Sequence, residues 1–258
     1  MKELSLSANL GYLFTEYSLV DAIARSAEAG FKAVECQRPY DVPASQVRQA
    51  CEKASIPLLA INTVKGEQGQ FGLSALPDAV RQAKNAIDKA IEYGGEADAA
   101  YIHLVSGITS GVASLNTFCH NIHYALERLK DTKMQVIIEP INTHSVPGYF
   151  LSSPELALDV VNEIDSERLG IMFDCFHMHH ITGSKTALLD SYSLLKKDIR
   201  HIQFAAFPDR NEPNNNSFSY PALFNSFVAD GYNGYFGAEY KPAGRTEDSL
   251  DWMCQYRS

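Results

Sequence analysis

Four oxygen-bearing side chains, Glu139, Asp174, Gln203 and Glu239, recur at separations of 35, 29 and 36 residues. Each lies at the end of a short apolar, β-branched run: MQVIIEP, LGIMFD, RHIQFAA and GYFGAEY. Three carboxylates and an amide oxygen form a donor set suited to a hard divalent cation such as Mg²⁺ or Mn²⁺, with water or substrate completing the shell. Without a cation, three carboxylates brought together would repel one another and force at least one to stay protonated. One glutamate at a strand end is an ordinary loop hydrogen-bonder. Four such residues at nearly regular intervals describe a shared rim.

Other polar residues stand close to these four. His177 follows Asp174 by three positions in DCFH, where it reads by itself as a satisfied core histidine or as a residue supporting the carboxylates from behind. Arg210 lies in the loop seven residues past Gln203; it is either solvated or, with its planar guanidinium, a receptor for a carboxylate. Lys241, two residues past Glu239, falls on the same face of an extended chain. His179 and His180 complete an HMHH cluster, but adjacent histidines on a strand point to opposite faces, so they are read as exposed loop residues. His103 ends an earlier run and can line a pocket there. Glu35, at the end of KAVEC, is a hydrogen-bonder in the same mouth without an assigned role. Serine-hydrolase and phosphate-loop signatures are missing, and Cys175, next to the inward-facing Asp174, points away from the pocket.

The elements that position these residues follow one alternation. Four earlier apolar runs, LSLSANL, KAVEC (32–36), PLLAIN (57–62) and AAYIHLV (99–105), bring the number of predicted strands to eight. Amphipathic stretches separate them. TEYSLVDAIARSAEAG repeats apolar residues at Leu19, Ile23 and Ala27 and stops at Gly30. SSPELALDVVNEI opens with Ser153 as cap, Pro154 at the first helical position and Glu155 in the first turn. LPDAVRQAKNAIDKAIEYGG predicts a long helix ending at its glycines. Eight strands alternating with helices, with no GxGxxG after the first strand, predict an α/β protein with a closed (β/α)₈ barrel rather than an open doubly wound sheet. No linker or composition shift interrupts residues 1–258, read as one barrel domain, and the NNNS run at 214–217 is read as a polar loop.

Composition narrows the class further. A hydrophobic fraction of 45% and a charged fraction of 21% belong to a globular chain, not a disordered one. The net charge of −9 argues against a nucleic-acid backbone as partner. Five cysteines without a CxxC pair suggest a reducing compartment, and the N-terminal residues lack a leader pattern. With no apolar run long enough to span a bilayer, the expectation is a cytoplasmic protein without a membrane partner.

The strings SANLGYLFTE (7–16), GLSALP (72–77), EPIN (139–142), PGYFL (147–151), DCFHM (174–178), PDRNEP (208–213) and EYKP (239–242), in this order, resemble the hydroxypyruvate isomerase family. The resemblance runs along nearly the whole chain and is nearest in flavour to the 2-oxo-tetronate isomerase branch. It implies a xylose-isomerase-like TIM barrel whose metal ligands are Glu139, Asp174, Gln203 and Glu239. Glu139 and Glu239 would be the acid/base pair, and His177, Arg210 and Lys241 would bind substrate. The implied activity is metal-dependent isomerisation of a short hydroxy-keto acid by proton transfer through an enediolate, with Mg²⁺ or Mn²⁺ and a homo-oligomer left open. Ketose 3-epimerases of the same superfamily share the carboxylates but usually carry histidine where Gln203 stands. Abasic-site endonucleases of the superfamily use several metals and more histidine ligands. Two departures fall on rim loops. NTVKGEQGQFG (62–72) is shorter than the family loop with its GDW-like step, and THSVPG lacks the acidic residue that many relatives carry near Ser145.

Overall fold

A computed structural model describes residues 4–213 and 219–256, so the NNNS run lies outside the described residues. Eight strands form a closed, wholly parallel barrel in chain order. They are β1 (Leu6–Asn9), β2 (Ala33–Cys36), β3 (Leu58–Asn62), β4 (Tyr101–His103), β5 (Gln135–Ile138), β6 (Leu169–Asp174), β7 (Ile199–Phe204) and β8 (Phe236–Ala238). Between them run α1 (Leu19–Glu28), α2 (Ala44–Ala54), α3 (Val80–Ala97), α4 (Val112–Leu129), α5 (Pro154–Ile164), α6 (Cys175–Thr182), α7 (Lys185–Leu195) and α8 (Tyr220–Ala229). Parallel strands need crossovers, and these helices supply them while covering the outer face of the sheet. No helix among the described residues is long and apolar enough to cross a membrane.

The capping chemistry behaves as its residues dictate. Ser153 caps α5 by accepting from Leu156 N at 3.1 Å, with Pro154 in the first turn. Helix α3 departs from expectation: it runs through both glycines and stops at Asp98, whose backbone is left-handed (φ 59°). Gly94 serves packing here, not termination, because a Cβ would lie 3.1 Å from Met134 Sδ and 3.3 Å from Ile61 Cδ1. The HMHH cluster is a second correction. It sits on α6, not in an exposed loop, and His179 and His180 are half-buried. His180 packs against Phe176 and Phe207, with ring centroids 4.7 and 4.6 Å apart.

The main apolar core lies between sheet and helices, where Phe204, Phe224, Phe236 and Trp252 interlock. Each such side chain removed from water contributes about 1.5–3 kcal/mol. The barrel interior differs. A small apolar cluster of Ala60, Ile137 and Met172 lies inside it, and the carboxyl-terminal end is lined by buried polar groups. Across β6 and β7, Asp174 and Gln203 are register partners, so both reach the same level of the rim. Rim loops are tied to one another by bridges Gly72–Ser106 and Ile108–Tyr149.

Candidate active site

A cavity of about 490 Å³ opens among the carboxyl-terminal strand ends, lined by Glu139, His177, Gln203, Arg210, Glu239 and Lys241 among others. Glu139 stands one residue past β5, Asp174 is the last residue of β6, Gln203 the next to last of β7, and Glu239 stands one residue past β8. The four side chains come from consecutive staves of the ring and are all at least nine-tenths buried.

Asp174 also caps α6: its Oδ1 accepts from Phe176 N at 2.8 Å, and its carboxylate benefits from the positive end of the helix dipole. Its Oδ2 lies 3.1 Å from Arg210 Nη2, and the same guanidinium nitrogen bonds Glu239 Oε2. Arg210 is held between the Tyr12 and Phe176 rings, 5.0 and 4.8 Å from their centroids. Its guanidinium is therefore committed to the carboxylates, while Lys241 stays exposed at the rim. Glu239 Oε1 accepts from Asn9 Nδ2 (2.9 Å) and Gln37 Nε2 (2.6 Å).

Burial dominates the electrostatics. It raises the Glu139 carboxyl well above its usual range, and the negative charges of Glu239 and Asp174 add to the rise. Glu239 is pushed up to about 7 by burial, against the opposing pull of Arg210. Asp174 is also raised by burial, again opposed by Arg210. His103, fully buried and 3.8 Å from Glu139, is driven down to about 3 by desolvation and stays neutral.

His177 is neutral for the same reason. Asn142 Oδ1 accepts from Ser145 N, which turns the Asn142 amide NH₂ toward His177 Nδ1 at 2.6 Å. The imidazole proton then sits on Nε2, 3.6 Å from Asp174 and 3.8 Å from Glu139. The 3.1 Å approach of Arg210 Nη1 to this nitrogen brings two donors together and is not a hydrogen bond in this tautomer.

Glu35 is the residue whose part sequence reading missed. It is fully buried and its pKa is lowered despite the burial penalty, because His201, Ser7 and Gln203 surround it. Ser7 Oγ donates to it at 2.7 Å, Gln203 Nε2 donates at 2.6 Å, and His201 Nε2 lies 2.9 Å away, off the line of a hydrogen bond. A carboxylate only accepts, so Gln203 must present its NH₂ downward. Its Oε1 has no partner among the described residues. Gly237 makes room for this arrangement: a Cβ there would lie 2.3 Å from Glu35 Oε1. Asn9 and Gln37 sit at or just past the ends of β1 and β2, beside Glu35, so the strand-end rule applied to the first strands would have found them as it found Glu35.

The donor set fits a metal ion. The Glu139 and Asp174 carboxylates bring oxygen atoms within 4.8 Å of each other beside His177, whose protonated Nε2 serves as a donor rather than a ligand. Glu139 Oε1 and Gln203 Oε1 are buried without hydrogen-bond partners among the described residues, and the Arg210 guanidinium pairs with Asp174 and Glu239 but not with Glu139. A family model of the xylose isomerase-like TIM barrel matches residues 23–256. The chain belongs to that family. Within it, the chain is 32% identical to the 2-oxo-tetronate isomerase of Haemophilus influenzae, over 97% of this chain and 98% of that one. It is 30% identical to the hydroxypyruvate isomerase of Escherichia coli, over 98% and 100% of the two chains. The crystal structure of a protein described as AP endonuclease, family 2, from Brucella melitensis superposes with a TM-score of 0.91 at 31% identity, covering 99% and 100%. The resemblance drawn from the motifs and the (β/α)₈ barrel both hold, and the chain is an enzyme of the hydroxypyruvate isomerase type.

Proposed function

We propose that this enzyme moves a carbonyl one carbon along a short hydroxy-keto acid. The pairs would be hydroxypyruvate with tartronate semialdehyde, or 2-oxo-tetronate with 3-oxo-tetronate. One observation carries the reading: Glu139 and Glu239 flank Asp174 and Gln203 around the rim, so a substrate seated on the middle pair has a carboxyl group on each side. One glutamate takes the proton from the hydroxyl-bearing carbon, leaving an enediolate; the hydroxyl proton passes to the neighbouring former carbonyl oxygen, and the other glutamate returns a proton to the former carbonyl carbon. His177, with its proton on Nε2, donates a hydrogen bond to a substrate oxygen. A divalent cation, Mg²⁺ or Mn²⁺, would be held by the oxygens of Glu139, Asp174, Gln203 and Glu239. When bound it supplies Lewis-acid polarisation of the substrate oxygens.

Turnover of hydroxypyruvate in heavy water, followed by NMR, tests this directly. Deuterium should appear on the product carbon, because a carboxyl proton exchanges with solvent. Complete retention of the substrate hydrogen would point to a hydride shift instead. Inversion of a ketose without carbonyl migration, or cleavage of abasic-site DNA in place of isomerisation, would overturn the proposal.

Glu35 enters as a positioning residue. With Glu35→Gln, the neighbouring amide can pair with Gln203 in either orientation, so the Gln203 oxygen is no longer forced toward the cavity. Calorimetric titration of Mn²⁺ should show affinity reduced by about tenfold or more, in the range seen when partners of metal ligands are removed. Unchanged affinity would remove Gln203 from the ligand set or Glu35 from its support.

A further inference from the structure

Among the described residues three cationic side chains line the cavity, and they differ in what they are free to do. Arg210 is bound to Asp174 and Glu239. Lys241 is exposed at the rim, and its backbone N–H donates to Arg210 O at 2.7 Å. Lys65 is half-buried, and its ammonium makes no hydrogen bond or ion pair with the described residues.

The loop holding Lys65 is well fixed. Gly72 N donates to Lys65 O at 2.7 Å, and the Gly72–Ser106 bridge ties the loop to the one after β4. The Lys65 Nζ lies 4.0 Å from the centroid of the Phe71 ring. Phe71 in turn packs edge-on to Tyr149, with centroids 6.0 Å apart, and Ser106 N donates to the Tyr149 hydroxyl at 3.1 Å. An ammonium resting on an aromatic face keeps its charge while shedding water, and its N–H donors are left for a ligand. Burial, with the Arg38 charge next in size, presses the Lys65 pKa down, a cost that a ligand anion would relieve.

Placement strengthens the case. β3 and β7 are four strands apart in either direction around the closed ring, so the loop after β3 faces Gln203 from across the mouth. Gln203 and Lys65 therefore line opposite sides of one cavity, and a ligand seated at Gln203 has the Lys65 ammonium across from it.

We propose that Lys65 is the receptor for the carboxylate of the substrate. This deepens the keto-acid reading and rests on it for the identity of the anion. It also assigns a role to the loop NTVKGEQGQFG, where the chain departs from the family pattern.

Glycerate, a hydroxy acid with no carbonyl to isomerise, serves as probe. Its binding to the Mn²⁺-supplemented full chain is measured by calorimetry beside that of neutral dihydroxyacetone. Lys65→Met should weaken glycerate binding by about ten- to a hundredfold and leave dihydroxyacetone unchanged. Lys65→Arg, which keeps the charge, should stay within about fivefold of the original. Equal losses for both ligands, unchanged glycerate binding in Lys65→Met, or no glycerate binding by the unaltered chain would each overturn the proposal. Turnover is not the readout. Lys65-dependent glycerate binding by a protein that fails to isomerise keto acids would support the receptor and count against the isomerase reading.

Discussion

Glu139→Gln and Glu239→Gln should each lower turnover of hydroxypyruvate by about 10³-fold at saturating Mn²⁺, within the 10²–10⁴ range of a lost general acid or base. Glutamine keeps the shape and an oxygen donor but cannot carry the proton. Both positions are buried, and Glu239 accepts from Asn9 and Gln37 at an oxygen that the amide can supply in its place. The variants should therefore fold, which thermal melting checks. His103→Gln is the contrast: His103 is neutral and lies 3.8 Å from Glu139 without a hydrogen bond, so its loss should cost less than about tenfold. Near-normal turnover in both glutamate variants would show that the proton carriers are other groups.

Chelation should have an effect of similar size. Of three buried carboxyls, the Arg210 guanidinium pairs with those of Asp174 and Glu239 but not with Glu139, and burial holds Glu139 and Glu239 above their usual range. A divalent cation would let them ionise together. Dialysis against EDTA should reduce activity by about 10³-fold, and Mn²⁺ or Mg²⁺ should restore it. A ligand at a hundred times its dissociation constant stabilises the fold by about 2.7 kcal/mol. For a chain of this size that raises the melting temperature by about 5–10 °C. Full activity in protein shown by elemental analysis to be metal-free would exclude the metal from the reaction.

Much of this was legible before any coordinates. Strand and helix patterns are local, so eight alternations could be read directly, and the Ser153–Pro154–Glu155 opening behaves as its residue types require. The rim followed as well, because parallel barrel strands all end on one face and each carries its last side chains there. Glu139, Asp174, Gln203 and Glu239 needed no contact information to be picked out.

What depended on pairing across the barrel was not legible. Gln203 and Glu35 are 168 residues apart, and no local rule says that one orients the amide of the other. The resemblance assigned Arg210 to the substrate; that its guanidinium also meets Asp174, 36 residues earlier, and Glu239 could be seen only in the fold. The His177 tautomer is set by Asn142, in the loop after β5, and the glycine inside α3 at position 94 packs against Ile61 of β3 and Met134 just before β5. In sequence Lys65 is one lysine among polar loop residues. Which residue types reach the rim follows from the order of residues along the chain, because strand period and chain order are properties of neighbours. Only the closed barrel decided which of them are paired and which are left facing the cavity, because hydrogen bonds and burial are properties of distant segments brought together.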